Sequence, residues 1–349
     1  MRKRRIQIEE VVVFTERLSS MINAGLPIIR CLYTIMEQEE NPELKTVIRG
    51  VCLDLEGGSQ FSEALSKYPE VFSDFYVSLV NAGEVGGILD EVLERIAAHL
   101  SKQQYIVREI RKAFAYPVIV LSAAALIVVF LMIFIVPVFA EIYRKMRVSL
   151  PLPTLVLVGI SNAAVRYWWI AAASMPLIAV LIRYTKKMDN VRRVIDRIKL
   201  DMPIFGTLNR QIAVSHVIRT LAALTSSGIP VMRSLDVVKD LSGNIIVADL
   251  MDHIKSGVSS GEKITDTMKG SDLFPPMVTQ MISAGEESGA LEVMLNKSAD
   301  FLDRDINYTI SKLITRLEPL LTTVLALVIG FIAMAIYLPM FDVITGITK

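Results

Sequence analysis

The sequence is 349 residues long, 52% hydrophobic and 21% charged, with a net charge of +1 at pH 7. Its mean hydropathy of +0.48 is high for a soluble protein, while its charge content excludes a wholly embedded one and suggests soluble modules joined to membrane spans. The near-neutral balance argues against a general polyanion binder, nucleic acid included. The two cysteines, Cys31 and Cys52, are too few for a disulfide framework and read as reduced thiols in a helical core.

The chain opens on Met1-Arg2-Lys3-Arg4-Arg5, and the acidic pair Glu9-Glu10 comes only a few residues later. A cleaved signal, which needs a long apolar run there, is not expected. Phe14, Leu18, Met21 and Ile22 share one helical face. Gly25-Leu26-Pro27 then ends that helix and begins the next, glycine suiting the C-terminal cap and proline the first turn. Asn41-Pro42-Glu43 marks another helix start, and Gly57-Gly58-Ser59 another break. Ala82-Gly83-Glu84 is read as a turn between helices. Glu84 is expected either to complement the N-terminus of the following helix or to meet a partner or cation on an exposed loop. Leu89, Val92, Leu93, Ile96 and Leu100 open a long helix.

Three apolar segments have the character of membrane spans. Val118 to Val138 carries no charge and is long enough to cross a bilayer core of roughly 20 helical residues. Leu155 to Ile182 is apolar but for Arg166. A charge at mid-bilayer is costly, so the segment is expected to split into an interfacial helix over 155–165 and a short span over 167–182. The third runs from about Leu317 to Phe341. Lysine and arginine near the span ends place the N-terminus and residues 183–316 in the cytoplasm and the 140–154 loop and the C-terminus outside.

The chain also repeats itself. At an offset of 203, Gly25-Leu26-Pro27 meets Gly228-Ile229-Pro230, Asn41 meets Asn244 and Gly58 meets Gly261. At 202, Ala82-Gly83-Glu84 meets Ala284-Gly285-Glu286, Gly87 meets Gly289, Pro117 meets Pro319 and Pro137 meets Pro339. Glu286 therefore carries the same expectation as Glu84. The fold class that results is an all-α membrane protein: two homologous cytoplasmic bundles of about six helices each, plus three transmembrane helices. The expected divisions are a basic cytoplasmic tail (1–10), module 1 (11–112), transmembrane helix 1 (113–139) and a periplasmic loop with an interfacial helix (140–166). They continue with transmembrane helix 2 (167–183), a basic cytoplasmic linker (184–213), module 2 (214–316), transmembrane helix 3 (317–341) and a periplasmic tail (342–349).

The chemistry-bearing residues point away from catalysis. His99, His216 and His253 are far apart and form no ligand pattern, so they are read as surface or satisfied helix positions. Gly83-Glu84-Val85-Gly86-Gly87 has the wrong spacing for a dinucleotide loop, and Gly257 to Lys263 lacks the ending of a P-loop. No catalytic, cofactor-binding or confident metal site is expected, and no cofactor. The candidate contact or turn residues are Gly25, Pro27, Gly83, Glu84, Gly87, Gly228, Pro230, Gly285, Glu286 and Gly289. Pro117 and Pro319, where each long helix meets an apolar segment, are candidate membrane-entry hinges.

The duplicated Gly-Leu-Pro and Ala-Gly-Glu series resembles the GspF/PilC family. So do Pro137-Val138-Phe139 and Leu150-Pro151-Leu152-Pro153-Thr154. These are the inner-membrane platform proteins of type II secretion and type IV pilus machines. The resemblance runs from about Val11 to Phe341, although many relatives carry an additional N-terminal segment. It implies a bacterial inner-membrane, multi-pass, non-enzymatic scaffold that couples a hexameric assembly ATPase to pilin or pseudopilin assembly. It also implies contacts with other inner-membrane assembly components and with the phospholipid bilayer, and a homo-oligomer. The alternatives are a small polytopic transporter, for which three spans and same-direction repeats leave little room, and a membrane-bound enzyme, which lacks a convergent acid–base or metal cluster.

Overall fold

The computed structural model describes residues 6–145, 151–185, 189–203 and 205–347. Among them every regular element is helical. The first repeat comprises α1 (Ile8–Asn23), α2 (Ile28–Gln38), α3 (Pro42–Glu56), α4 (Phe61–Ser66), α5 (Asp74–Gly86) and α6 (Leu89–Phe130). A π-helical stretch, Leu131–Ile135, leads into α7 (Val136–Lys145), followed by α8 (Leu152–Thr185) and α9 (Asp189–Asp201). The second repeat comprises α10 (Gly206–Ser226), α11 (Val231–Leu241), α12 (Ile245–Ser259), α13 (Ile264–Met268), α14 (Pro276–Ser288) and α15 (Leu291–Ile347).

Local chemistry sets the same boundaries twice. Asn41 caps α3, its Oδ1 accepting from Glu43 N at 3.1 Å, and Asn244 caps α12, accepting from Ile246 N at 2.9 Å. Helix α1 ends with Gly25 at φ +81°, and α10 with Gly228 at φ +79°. At both ends the residue after glycine reaches back, Leu26 N to Met21 O and Ile229 N to Leu224 O. This Schellman closure needs the left-handed backbone that glycine adopts without strain. Pro27 and Pro230 then stand at the N-caps of α2 and α11.

The chain divides into two compact units. The first, Met1–Glu109 with Arg193–Tyr308, holds the helices of both repeats up to the apolar segments, so the two repeats share one body. On the first-repeat side its core is aromatic: Phe14, Phe72, Phe75 and Tyr76 are at most 2% exposed, and Phe72 stacks on Phe14 and Tyr76 at 5.7 and 5.0 Å between ring centroids. Burying each such ring contributes about 2–3 kcal/mol. Aliphatic residues build the second-repeat side, with Val278 where the first repeat has Tyr76 and Ile282, Leu295 and Leu302 beside it. Cys31 and Cys52 are free and buried, and desolvation pushes both thiols' pKa values up, which keeps them unreactive.

The second unit, Ile110–Arg192 with Thr309–Lys349, holds the two helical runs long and apolar enough to cross a membrane, within Leu89–Lys145 and Leu291–Pro339. Their side chains face outward in number: Ile119, Leu126, Phe134, Leu327 and Met334 are each 57–70% exposed, a surface that water does not tolerate. A small buried cluster, Val136, Leu157, Ile332 and Ala335, forms where α7, α8 and α15 meet.

Proline explains the polar contacts at that meeting point. A proline in a helix leaves a preceding carbonyl without its N–H partner. Pro339 frees Ala335 O, which accepts from Thr154 Oγ1. Pro137 follows the π-helical turn, whose longer spacing places the freed oxygen on Met132, and Met132 O accepts from Ser161 Oγ. Hydroxyls of α8 thus satisfy both repeats' proline sites, the remedy available inside lipid. Tyr143 adds a bond to Ile336 O at 2.7 Å.

Several expectations are corrected. Both Ala-Gly-Glu triplets lie inside helices, α5 and α14, and not in turns; the turns fall at Gly87 and Gly289, with φ +67° and +69°. Gly83 and Gly285 are helical because their missing side chains let the next helix approach. A Cβ on Gly83 would stand 3.0 Å from Val92 Cβ, and one on Gly285 2.9 Å from Met294 Cβ. The split expected at Arg166 is absent, and α8 is continuous from Leu152 to Thr185. Breaking a helix exposes backbone groups, which is costly in an apolar medium, whereas an arginine can extend its charged end. Part of the 140–166 loop is helical as α7, the 184–213 linker contains α9, and α15 continues through most of the 342–349 tail, to Ile347. Residues 1–5 of the basic tail and 146–150 of the loop lie outside the described residues. Helices α6 and α15 run through Pro117 and Pro319 without interruption.

Candidate functional site at the joint between the repeats

Glu84 and Glu286 perform the same task in each repeat. Glu84 accepts from Phe61 N at 2.6 Å and Ser62 N at 2.8 Å. Glu286 accepts from Ile264 N at 2.7 Å and Thr265 N at 3.1 Å, with a further bond from Thr265 Oγ1 at 2.6 Å. Each carboxylate therefore closes the N-terminus of the short helix before its own, α4 or α13, rather than the following helix. The negative charge meets unpaired N–H groups at the positive end of the helix dipole. Both glutamates are half-buried, and neither stands on an exposed loop. Val85 and Glu287, next to them, are exposed. Gly25, Pro27, Gly228 and Pro230 form the first turn of each repeat, and Gly87 and Gly289 the last.

The joint between the repeats is built from residues that the repeat pattern did not single out. Helix α5 packs on α10 and α11. Arg95 of α6 donates through Nη1 to Ser226 O, closing the C-terminal end of α10, where a cation is favoured. Asp303 of α15, its side chain 4% exposed, accepts from Ser215 Oγ at 3.0 Å and from Arg219 Nη2, and lies 3.1 Å from Lys102 Nζ. Arg219 and Ser215 lie on α10 and Lys102 on α6, so one carboxylate ties three helices from two repeats.

His99 and His216 meet at this joint, with ring centroids 6.3 Å apart, and Phe75 packs at 4.3 Å from the His99 ring. Burial, together with His216 and Arg219, drives the His99 pKa down to about 3, and burial lowers that of His216. Both rings are therefore neutral near pH 7. His99 Nδ1 has no hydrogen-bond partner among the described residues. The expected satisfied position fails for His99 at Nδ1 alone, since Gln103 Nε2 lies 2.8 Å from His99 Nε2; His216 is half-buried and His253 exposed. A cleft of about 300 Å³ opens beside them, lined by Arg95, His99, Arg219, Ser226, Glu292 and Asn296.

The internal repeat contained a signal for this cluster. Position 16 is Glu where 219 is Arg, and position 101 is Ser where 303 is Asp. In the first repeat Ser101 Oγ donates to Glu16; in the second Arg219 donates to Asp303. The same two positions bond in each repeat, with donor and acceptor exchanged between the helices. The arrangement holds helices in register and contains no nucleophile–base pair.

The sequence profile described as type II secretion system (T2SS), protein F, matches residues 14–137 and again residues 217–339. The chain belongs to the type II secretion system protein F family. Its two matched blocks coincide with the two repeats, including the proline-bearing apolar helices. Among its relatives is the type IV pilus assembly protein PilC of Thermus thermophilus, 38% identical over 97% of this chain and 83% of the relative. The PilC of Myxococcus xanthus is 35% identical over 97% and 81%. The type II secretion system protein F of Vibrio cholerae is 30% identical over 97% and 84%. The protein is thus a membrane member of a family that serves type II secretion and type IV pilus assembly.

Proposed function

We propose that the chain is an inner-membrane platform of a type IV pilus or type II secretion machine, coupling a cytoplasmic hexameric assembly ATPase to pilin or pseudopilin assembly without itself catalysing a reaction. One observation carries the reading: in each repeat the helix that completes the soluble bundle, α6 or α15, continues without a break into an apolar segment. A force applied to the bundle has a continuous helical path toward lipid. In this reading α8 is a third transmembrane helix and the 1–109 and 193–308 regions face the cytoplasm. The C-terminus lies in the periplasm, the platform works as a homo-oligomer, and Pro117 and Pro319 act as hinges at membrane entry. The family placement weighs against the transporter alternative.

In-cell photocrosslinking from Val85 and Glu287, exposed neighbours of the two capping glutamates, tests the proposal. Capture of an assembly ATPase or a pilin-like subunit supports it. Capture of metabolite-handling proteins in their place overturns it.

A further inference from the structure

Helix α9 carries two faces of opposite purpose. On one, Asp196 and Leu200 are 2% and 5% exposed. Asp196 Oδ2 accepts from Ile245 N at 3.2 Å, anchoring α9 at the start of α12, and Arg210 Nε donates to Leu200 O at 2.9 Å. On the other, Val194, Ile198 and Met202 are 58%, 54% and 41% exposed. At helical spacing Val191 and Ile195, both half-buried, fall on the same stripe, roughly 100° wide. Arg192 and Lys199 border it on one side and Asp201 and Arg197 on the other, while Arg193 lies further round, beside Leu200. Arg197 is 77% exposed at the side chain and 3.7 Å from Asp201, and Arg193, 3.1 Å from Asp249, is 59% exposed.

An exposed apolar stripe with long cationic side chains along its edges is the pattern of a helix lying in a membrane interface. The aliphatic side chains enter the headgroup–acyl boundary and the long cationic ones reach the phosphates. A further observation favours lipid over another occupant. Only three residues separate α9 from α8, and that short link carries Lys186 and Lys187, with Arg183 just before it.

We propose that α9 docks on an anionic leaflet, with Val194 and Ile198 inserted and Arg192 and Arg197 bound to lipid phosphates. The proposal rests on the membrane reading of the apolar helices. It adds that the body formed by both repeats touches the bilayer through its own surface, beyond the helices that cross.

The full chain is placed in nanodiscs of phosphatidylcholine with or without phosphatidylglycerol. An environment-sensitive fluorophore is attached at Ile198→Cys, with Glu37→Cys and Val328→Cys as comparison sites. The Ile198 label is expected to shift to the blue and to be quenched by lipid-borne nitroxides when phosphatidylglycerol is present. R192Q/R197Q is expected to weaken that docking roughly fivefold per removed charge. Aqueous iodide quenching the Ile198 label as strongly as the Glu37 label in both lipid mixtures, while the Val328 label stays lipid-quenched, overturns the proposal. So does a shielded Ile198 label indifferent to nitroxide and to phosphatidylglycerol, which indicates a protein contact. Iodide access to the Val328 label overturns the membrane reading beneath it.

Discussion

The Lys102 ammonium lies 3.1 Å from the Asp303 carboxylate, joining the long helix of the first repeat to that of the second. Its weight is unequal to that of the neighbouring Arg219 contact. The Lys102 side chain is 37% exposed, so water screens its share to under about 1 kcal/mol. Arg219 is only 17% exposed. Asp303→Asn removes its buried countercharge and leaves only the exposed Asp300, 3.6 Å away, and a loss of about 3 kcal/mol is expected in detergent-solubilised unfolding. R219M/D303L is expected to recover most of that loss. A double variant no more stable than D303N would show that the pair is not what holds the joint.

The two buried histidines make stability depend on pH. In the folded protein the His99 pKa is down to about 3, whereas an unfolded histidine titrates near 6.5. Between those values the unfolded chain binds a proton that the folded chain refuses. Stability therefore falls as pH drops below about 6.5, with a slope approaching about 1.4 kcal/mol per pH unit. His99→Phe, the residue that the second repeat has at Phe301, is expected to flatten the slope between about pH 6.5 and 5.5, before carboxylates titrate. His216, shifted the same way, retains part of it.

Glu84→Ala and Glu286→Ala each remove the carboxylate that closes a short helix. A destabilisation of about 1–2 kcal/mol is expected for each. Added calcium is expected to leave the melting temperature of the native chain unchanged, because the carboxylates already accept backbone N–H groups. A calcium-dependent rise that both substitutions abolish would favour cation binding instead.

Gly83→Ala and Gly285→Ala test the close helix approach. The new methyl group meets Val92 or Met294 below normal contact distance, and overpacking costs about 1–3 kcal/mol. Gly25→Ala has open space around it and loses about 1–2 kcal/mol through its left-handed backbone alone. Val92→Ala or Met294→Ala, made alongside its glycine substitution, keeps the very Cβ that the new methyl group meets, and the Leu89 or Leu291 Cα beside it, so neither is expected to relieve the first kind of strain. Nor should either help Gly25→Ala.

Thr154→Val and Ser161→Ala withdraw the hydroxyls from Ala335 O and Met132 O. About 1 kcal/mol is expected for each, read as faster unfolding of the purified chain in detergent. Pro339→Ala restores a backbone N–H to Ala335 O and should make Thr154→Val nearly neutral. A full penalty in that background would refute the pairing of hydroxyl with proline.

Caps and repeats are legible in the sequence because their cause is local. Asn41 and Gly25 announce a helix start and a helix end through their own backbone chemistry, and a second copy at a fixed offset removes the ambiguity. Gly83 reads wrongly as a turn because a glycine that admits a neighbouring helix resembles one that permits a reversal, and only the position of Val92 separates the two. Arg166 carries less weight than its charge suggests, since interrupting α8 would leave backbone groups unpaired. The Arg219–Asp303 pair escapes a reading based on the duplication because it departs from the repeat. Its trace is the exchange of Glu16 and Ser101 for Arg219 and Asp303.

Helix α8 has no counterpart in the duplication, yet its hydroxyls occupy acceptors that the two copies create independently. The connector has thereby become a structural component of both halves, beyond the tether a tandem duplication requires. Cutting the polypeptide between α8 and α9 would keep those acceptors filled from the first fragment, so the fragments retain the means to reassociate. Exchanging α8 for an unrelated apolar helix of equal length would leave those two carbonyls without a donor.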